Sequence, residues 1–138
     1  MAALMAMACA LSVAQAQNYP SRTVRIVVPI APGGASDFVA RVIQPKLSAL
    51  LGQQIYIDNR AGAAGNIGTE VGVRANSDGY TLTIGSTSTY ITNVVLEPKL
   101  PFDPRRDFAP ISLIVTAPNI LVTHPSVPAA TVQEFIRH

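Results

Sequence analysis

A chain of 138 residues has room for one small domain or part of a larger one. Hydrophobic content of 49% against 13% charged residues excludes a disordered acidic or basic tail. A formal net charge of +2, carried by scattered Lys and Arg, excludes a nucleic-acid surface.

The first stretch, Met1 to Ala16, holds no charged residue and ends in Ala14-Gln15-Ala16, a small-x-small cleavage pattern. It reads as a signal peptide over 1–16, with export as the consequence. A membrane anchor is the competing reading, but the apolar run before Ser12 falls short of the about 20 residues that a span requires. Cys9 is the single cysteine and lies inside this leader, so the mature chain carries no disulfide. Lipid attachment at Cys9 would need a lipobox, and Met5-Ala-Met-Ala-Cys9 lacks the leucine of one.

Beyond the leader, strand-like and helix-like stretches alternate. Val24 to Pro29 is a continuous apolar run, the mark of a strand buried on both faces. Asp37 to Leu51 is expected to be a helix with Phe38, Val39, Val42, Ile43, Leu47, Leu50 and Leu51 on one face, stopped by Gly52. Pro45 inside it predicts a kink. Gln54 to Asn59 is a second strand and Asn66 to Ala75 a second, short helix, whose Gly68 and Gly72 indicate close packing on the sheet or a neighbour. Asn76-Ser-Asp-Gly79 is a turn into a third strand, Tyr80 to Gly85. Pro98 to Pro110 holds four prolines and reads as an extended surface excursion. Ile111 to Val115 and Ile120 to Thr123 are expected to be further strands, the latter ending at His124 before Pro125. Thr131-Val-Gln-Glu134 is a capping box opening a helix that the sequence leaves short at His138.

The chemistry concentrates in two glycine-rich loops, Pro32-Gly-Gly-Ala-Ser-Asp37 and Ala61-Gly-Ala-Ala-Gly-Asn66, each leading from an apolar strand into a helix. In a parallel sheet both emerge on one edge, where free backbone N–H groups and the positive ends of two helix dipoles meet an anion. Ser36 or Asp37 reads as a helix cap, or Asp37 as the group that fixes the first loop; a carboxylate cannot itself accept from a bound carboxylate. The hydroxyl cluster from Ser86 to Thr89, after the third strand, would complete the rim or simply cap the next helix.

Enzyme chemistry finds less support. Neither loop is G-x-G-x-x-G, and no G-x-x-x-x-G-K-[ST] exists. Asp58 stands where a dinucleotide fold holds ribose, but without the first-loop fingerprint. His124 and His138 are the only histidines and lie far apart, and G-x-S-x-G is missing, so neither a metal site nor a serine triad assembles. An α/β enzyme using a phosphate or nucleotide, and a truncated chain without function, remain the alternatives to a solute receptor. No cofactor is expected.

Read in order, Tyr19-Pro20-Ser21, Val27-Val-Pro-Ile-Ala-Pro-Gly-Gly34, Asp37, Asn59-Arg60, Gly62-Ala63, Gly65-Asn-Ile-Gly68, Asp78-Gly-Tyr-Thr-Leu82, Leu100-Pro-Phe-Asp-Pro104, Asp107-Phe-Ala-Pro110 and His124-Pro-Ser126 resemble the tripartite tricarboxylate transporter substrate-binding family, the Bug periplasmic receptors. The resemblance implies an α/β fold, the first lobe of a two-lobed, type II-like periplasmic binding protein, with a mostly parallel sheet flanked by helices. It implies no enzyme but a receptor that closes on a small carboxylate and delivers it to membrane permease subunits. Residues 17–123 would form the first ligand-binding lobe, and 124–138 the start of a crossover into a second lobe that this chain does not reach. Ligand contacts carried over are Gly33, Gly34, Ala35, Ser36 and Asp37 in the first loop, Ala63, Ala64, Gly65 and Asn66 in the second, and Ser86 and Thr87 in the third segment. Three positions depart from the family pattern: Ile30 replaces an aromatic residue, Pro45 enters a helix normally uninterrupted, and Ala64 stands where glycine is usual. A positive φ at Ala64 would be strained.

Overall fold

A computed structural model describes residues 19–138 apart from Pro98 and Asn119. The leader expected over 1–16 lies outside the described residues. Three parallel strands, β1 (Val24–Val28), β2 (Ile55–Asn59) and β3 (Thr81–Thr83), form a sheet in the order β2-β1-β3. β1 is central, pairing Val24 with Ile55 through to Val28 with Asn59 on one side and Arg25 with Thr81 through to Val27 with Thr83 on the other. Its continuous apolar run follows from that place: Val24, Val27 and Val28 are wholly buried and Ile26 nearly so. β3 is shorter than Tyr80 to Gly85, although its backbone bonds reach further, from Arg25 N to Tyr80 O and from Ile84 N to Val27 O.

Helix α1 (Ala35–Leu51) covers one face, packing Ala40, Leu47 and Leu51 on Val24, Ile26, Val28 and Ile55. Pro45 lies inside the helix, which runs on past it to Leu51 and ends at Gly52 with φ 65°. The apolar face predicted for it is split, because Phe38, Val42 and Leu50 are exposed. Polar residues take part of the inward surface instead: Gln44 donates to the Ile55 carbonyl and Ser48 accepts the Ile55 N–H, satisfying the start of the outer strand β2.

Helix α2 (Asn66–Val73) lies on the opposite face. A Cβ at Gly72 would meet the Thr83 hydroxyl at 2.2 Å, and Thr83 pairs with Val27, whose side chain points away from those of Val24, Ile26 and Val28. A Cβ at Gly68 would sit 2.6 Å from the Pro29 Cα. Both glycines therefore allow the close packing expected of them.

After β3 a π-helical turn (Ser88–Thr92) runs into α3 (Asn93–Leu96). The proline-rich excursion contains a further turn of helix, α4 (Pro104–Asp107), started by Asp103, whose side chain accepts the Arg105 N–H; next to it Phe102 is buried rather than on the surface. α5 (Val132–Arg137) opens with the predicted capping box: Thr131 accepts the Glu134 N–H and Glu134 accepts the Thr131 N–H.

The strands expected over Ile111 to Val115 and Ile120 to Thr123 do not form among the described residues. Their apolar pattern is real, but a strand exists only against a partner edge, and this stretch meets none among the described residues: Ile111, Leu113, Ile120 and Val122 are each about 80% exposed. His124 accordingly ends no strand; its ring Nδ1 lies 2.7 Å from the Ser126 hydroxyl in a turn.

Candidate functional site

The two glycine loops leave the carboxyl ends of adjacent parallel strands, the second packs on Pro29 at the end of β1, and the segment after β3 meets the second loop there. Gly65 marks the junction. A Cβ on it would lie 2.6 Å from Thr89 Cγ2 and 3.1 Å from the Pro29 carbonyl oxygen, so one residue touches the end of β1, where the first loop begins, and the third segment together. Its φ of 94° is open to glycine alone at little cost.

Asp37 organises the first loop. Gly34, not Ser36 or Asp37, is the residue before the first turn of α1, and no side chain caps it. The Asp37 carboxylate instead reaches back: Oδ2 accepts from the Gly33 N–H at 2.8 Å and Arg41 Nε at 2.9 Å, while Oδ1 accepts from Asn59 Nδ2 at 2.9 Å. The Asn59 amide also donates to the Ile30 carbonyl at 3.1 Å, tying the loop to the end of β2. Bonds from Arg41, Gly33 and Asn59 hold this carboxyl well below the usual carboxylate range even though it is buried. The capping role is thus corrected: the geometry makes Asp37 the brace of the loop.

Not every amide assigned to an anion is free. Gly33 N–H is spent on Asp37, Gly34 N–H on the Ala31 carbonyl, Gly65 N–H on the Gly62 carbonyl and Asn66 N–H on the Ala63 carbonyl. These are corrections to a reading in which all loop amides were unsatisfied. Among the described residues no acceptor takes the N–H groups of Ala35, Ser36 and Asp37 at the start of α1, nor those of Ala63 and Ala64. Those five amides, with those of Ala61 and Gly62, are the unspent backbone donors of the two loops among the described residues.

Ala63 and Ala64 hold positive φ, 46° and 54°, and Ala64 is the strained substitute for glycine that its position implied. A left-handed alanine costs about 1–2 kcal/mol, and the extra unfolded freedom of glycine offsets about 0.4–1 kcal/mol of any relief. Ala64→Gly is therefore expected to raise the melting temperature by roughly 2 °C, read by calorimetry.

In the third segment Ser86 and Thr89 bond each other. The Thr89 hydroxyl accepts the Ser86 N–H at 3.0 Å, the Ser86 hydroxyl faces the Thr89 N–H at 3.4 Å, and Thr89 is buried. This is the capping alternative, and it also sets Thr89 against Gly65. Thr87 is exposed.

Sequence reasoning missed Asn59, Asn93 and Glu97. Asn93 Nδ2 donates to the Ala64 carbonyl at 3.0 Å, and Asn66 Nδ2 donates to Glu97 Oε2 at 2.9 Å. Asn93 and Glu97 are four apart at the start and the cap of α3, a spacing that puts them on one side, but nothing in sequence says which side faces the loop.

Asp58 is no ribose reader. Burial alone would raise its pKa, but Arg60 and Arg25 on its carboxylate outweigh burial and hold it below the ordinary value. A groove of about 390 Å³ lies at the other end of the sheet, among Arg22, Arg25, Arg74 and Tyr80. Each of these arginines is already paired, with Asp78, Asp58 and Glu70, and among the described residues no helix starts there.

Comparison with known proteins bears on this arrangement. The sequence matches the tripartite tricarboxylate transporter family receptor, TctC, over residues 39–138. BugT of Bordetella pertussis is 40% identical over 111 residues, covering 80% of this chain and 34% of that protein. A protein from the tcbD-tcbE intergenic region of Pseudomonas sp. strain P51 is 44% identical over 104 residues, covering 75% of this chain and 31% of its own. MatC from Rhodopseudomonas palustris, solved with bound malate, superposes with a TM-score of 0.74 at 39% identity, over 86% of this chain and 40% of that one. A second R. palustris protein, solved with adipate, gives 0.73 at 38% identity over the same shares. The chain spans about a third of the length of these curated relatives and two fifths of these solved chains. Over the superposed part it has their α/β fold, with the parallel sheet between helices, and with the match running through most of its length the chain belongs to the tripartite tricarboxylate transporter receptor family.

Proposed function

We propose that this chain supplies one lobe of a periplasmic receptor that binds a small carboxylate and hands it to the membrane permease of a tripartite transporter. The observation that carries the reading is the set of unspent amides at one sheet edge, Ala35 to Asp37 on α1 and Ala63 and Ala64 before α2, facing no acceptor among the described residues. Backbone N–H groups at helix starts suit an anion and leave the rest of the molecule to be recognised elsewhere. Relatives solved with malate and with adipate support the same ligand class. The contacts proposed in this chain are the loop residues Gly33 to Asp37 and Ala63 to Asn66, with Ser86 and Thr87 at the rim; Gly33, Gly34, Gly65 and Asn66 shape the loops through their spent amides.

The magnitudes predict weak binding by this lobe. Two helix ends contribute about 0.3–2 kcal/mol each toward an anion, whereas micromolar affinity needs about 8 kcal/mol and millimolar about 4 kcal/mol. A millimolar dissociation constant is the expected outcome. Malate or adipate at ten times that concentration would then stabilise the chain by about 1.4 kcal/mol, a shift of roughly 5 °C. The test is a thermal-shift titration of the chain from Gln17 with malate and adipate, and with phosphate and ATP as comparators. A response to the dicarboxylates alone upholds the receptor reading. A response to ATP without one to dicarboxylates overturns it.

A further inference from the structure

Three polar side chains stand behind the second loop in an order that their chemistry dictates. Glu97 is a carboxylate and can only accept. The Asn66 amide therefore turns its NH₂ to Glu97, Nδ2 to Oε2 at 2.9 Å, and so presents its oxygen on the other side. Asn93 meets that oxygen with its own NH₂, Nδ2 to Oδ1 at 2.6 Å. The same NH₂ donates its second hydrogen to the Ala64 carbonyl at 3.0 Å. Asn66 and Asn93 are both buried, 8% and 7% exposed, so neither amide can turn over and find water as a substitute. The far end of the chain of bonds is Ala64, one of the two alanines held at positive φ.

We propose that Glu97 is a positioning residue: acting through Asn66 and Asn93, it sets the direction of both amides and so clamps the Ala64 carbonyl, which keeps the Ala63 and Ala64 N–H groups aimed outward for a carboxylate. This rests on the receptor reading given above for its last step, the effect on a ligand, but the relay itself is a property of the unliganded chain.

The relay and plain electrostatics predict opposite signs for one substitution. Glu97→Lys replaces a negative charge with a positive one, which by itself strengthens attraction for an anion. In the relay it presents a donor to Asn66, whose amide must then turn its oxygen to the lysine and its NH₂ to Asn93. Asn93 must answer with its own oxygen, which faces the Ala64 carbonyl oxygen, and the clamp opens. Glu97→Gln removes the charge and keeps an acceptor, so it retains the relay. Asn93→Asp is isosteric and removes the donor directly.

The experiment is an NMR titration of the chain from Gln17, with malate and adipate in the wild type and with malate in these three variants. Two signals report the relay without ligand: the slowed solvent exchange of the Asn93 side-chain NH₂, and the strong intraresidue amide-to-α-proton contact that positive φ produces at Ala64. The expected result is that Glu97→Lys loses both signals, that Asn93→Asp, which has no side-chain NH₂, loses the Ala64 signal, and that both bind malate at least tenfold more weakly, while Glu97→Gln keeps both signals and stays within threefold of wild type. Wild-type signals in Glu97→Lys would overturn the relay, as would malate binding that is unchanged or tighter after both signals are lost. If the wild type binds neither malate nor adipate, the receptor reading fails, and the two signals still decide whether Glu97 sets the loop.

Discussion

Asp37→Asn is expected to destabilise the chain more than any other isosteric change at the sheet edge, lowering its melting temperature by roughly 10 °C, on the scale of breaking a buried charge network. The reason is the company the carboxylate keeps. Gly33 N–H and Arg41 Nε both point at Oδ2, and Asn59 Nδ2 points at Oδ1. Three donors surround a group that only accepts, so an asparagine must turn its NH₂ toward one of them whichever way it sits. If the NH₂ faces Asn59, that residue can flip its own amide, but it then loses its bond to the Ile30 carbonyl. If it faces Gly33, the first loop is released from α1. Calorimetry of the single variant and of Asp37→Asn with Arg41→Gln reads this. Asn59 or Gly33 still lacks its acceptor in the double variant, whichever way the asparagine sits, so the second substitution should add little.

The same carboxylate gives a pH dependence of known sign. Its folded pKa lies below the unfolded value of about 3.9, so the stability it contributes is complete above that pH and is lost as pH falls through the folded value. Asp58, held down by Arg60 and Arg25 against its burial, adds to the loss in the same direction. Melting temperature should therefore hold steady from neutral pH down to about 5 and fall below about 4. In Asp37→Asn the acid limb should be shallower.

How far the sequence reveals this molecule depends on whether a signal is local. β1 is legible because burial on both faces leaves no polar residue in Ile26-Val-Val28, and the C-terminal end of α1 and the start of α5 because a glycine at Gly52 and a capping box at Thr131 act within a few residues. Ile111 to Thr123 misleads because an apolar pattern records that a stretch wants cover and says nothing about whether an edge is present to pair with it. The loops fall between. Glycines at Gly33 and Gly65 announce positive φ, which both have, but not that their own amides would be consumed within the loop. Asn59 and Asn93 escape because each works on a backbone carbonyl 29 residues away in sequence, Ile30 for the first and Ala64 for the second, and no periodicity connects them.

Gly65→Ala should separate two costs that usually arrive together. At φ 94° an added Cβ carries backbone strain of about 1–2 kcal/mol, and it would also press on Thr89 Cγ2 at 2.6 Å and the Pro29 carbonyl at 3.1 Å, an overpacking cost of about 1–3 kcal/mol. Gly52 is the control, because it has a φ of 65° with nothing within 4 Å of its Cβ position. Gly52→Ala should cost strain alone, about 1 kcal/mol or roughly 4 °C, while Gly65→Ala should cost about 3 kcal/mol or roughly 12 °C. The difference measures how tightly the second loop is packed between the end of β1 and the third segment. It should also carry a consequence for binding, since Thr89 lies in the turn that runs into Asn93, which holds the Ala64 carbonyl at the second loop. A dicarboxylate response that weakens in Gly65→Ala and persists in Gly52→Ala places the junction in the site. Equal melting shifts for the two would mean that Pro29 and Thr89 do not crowd Gly65, and that strain alone decides both substitutions.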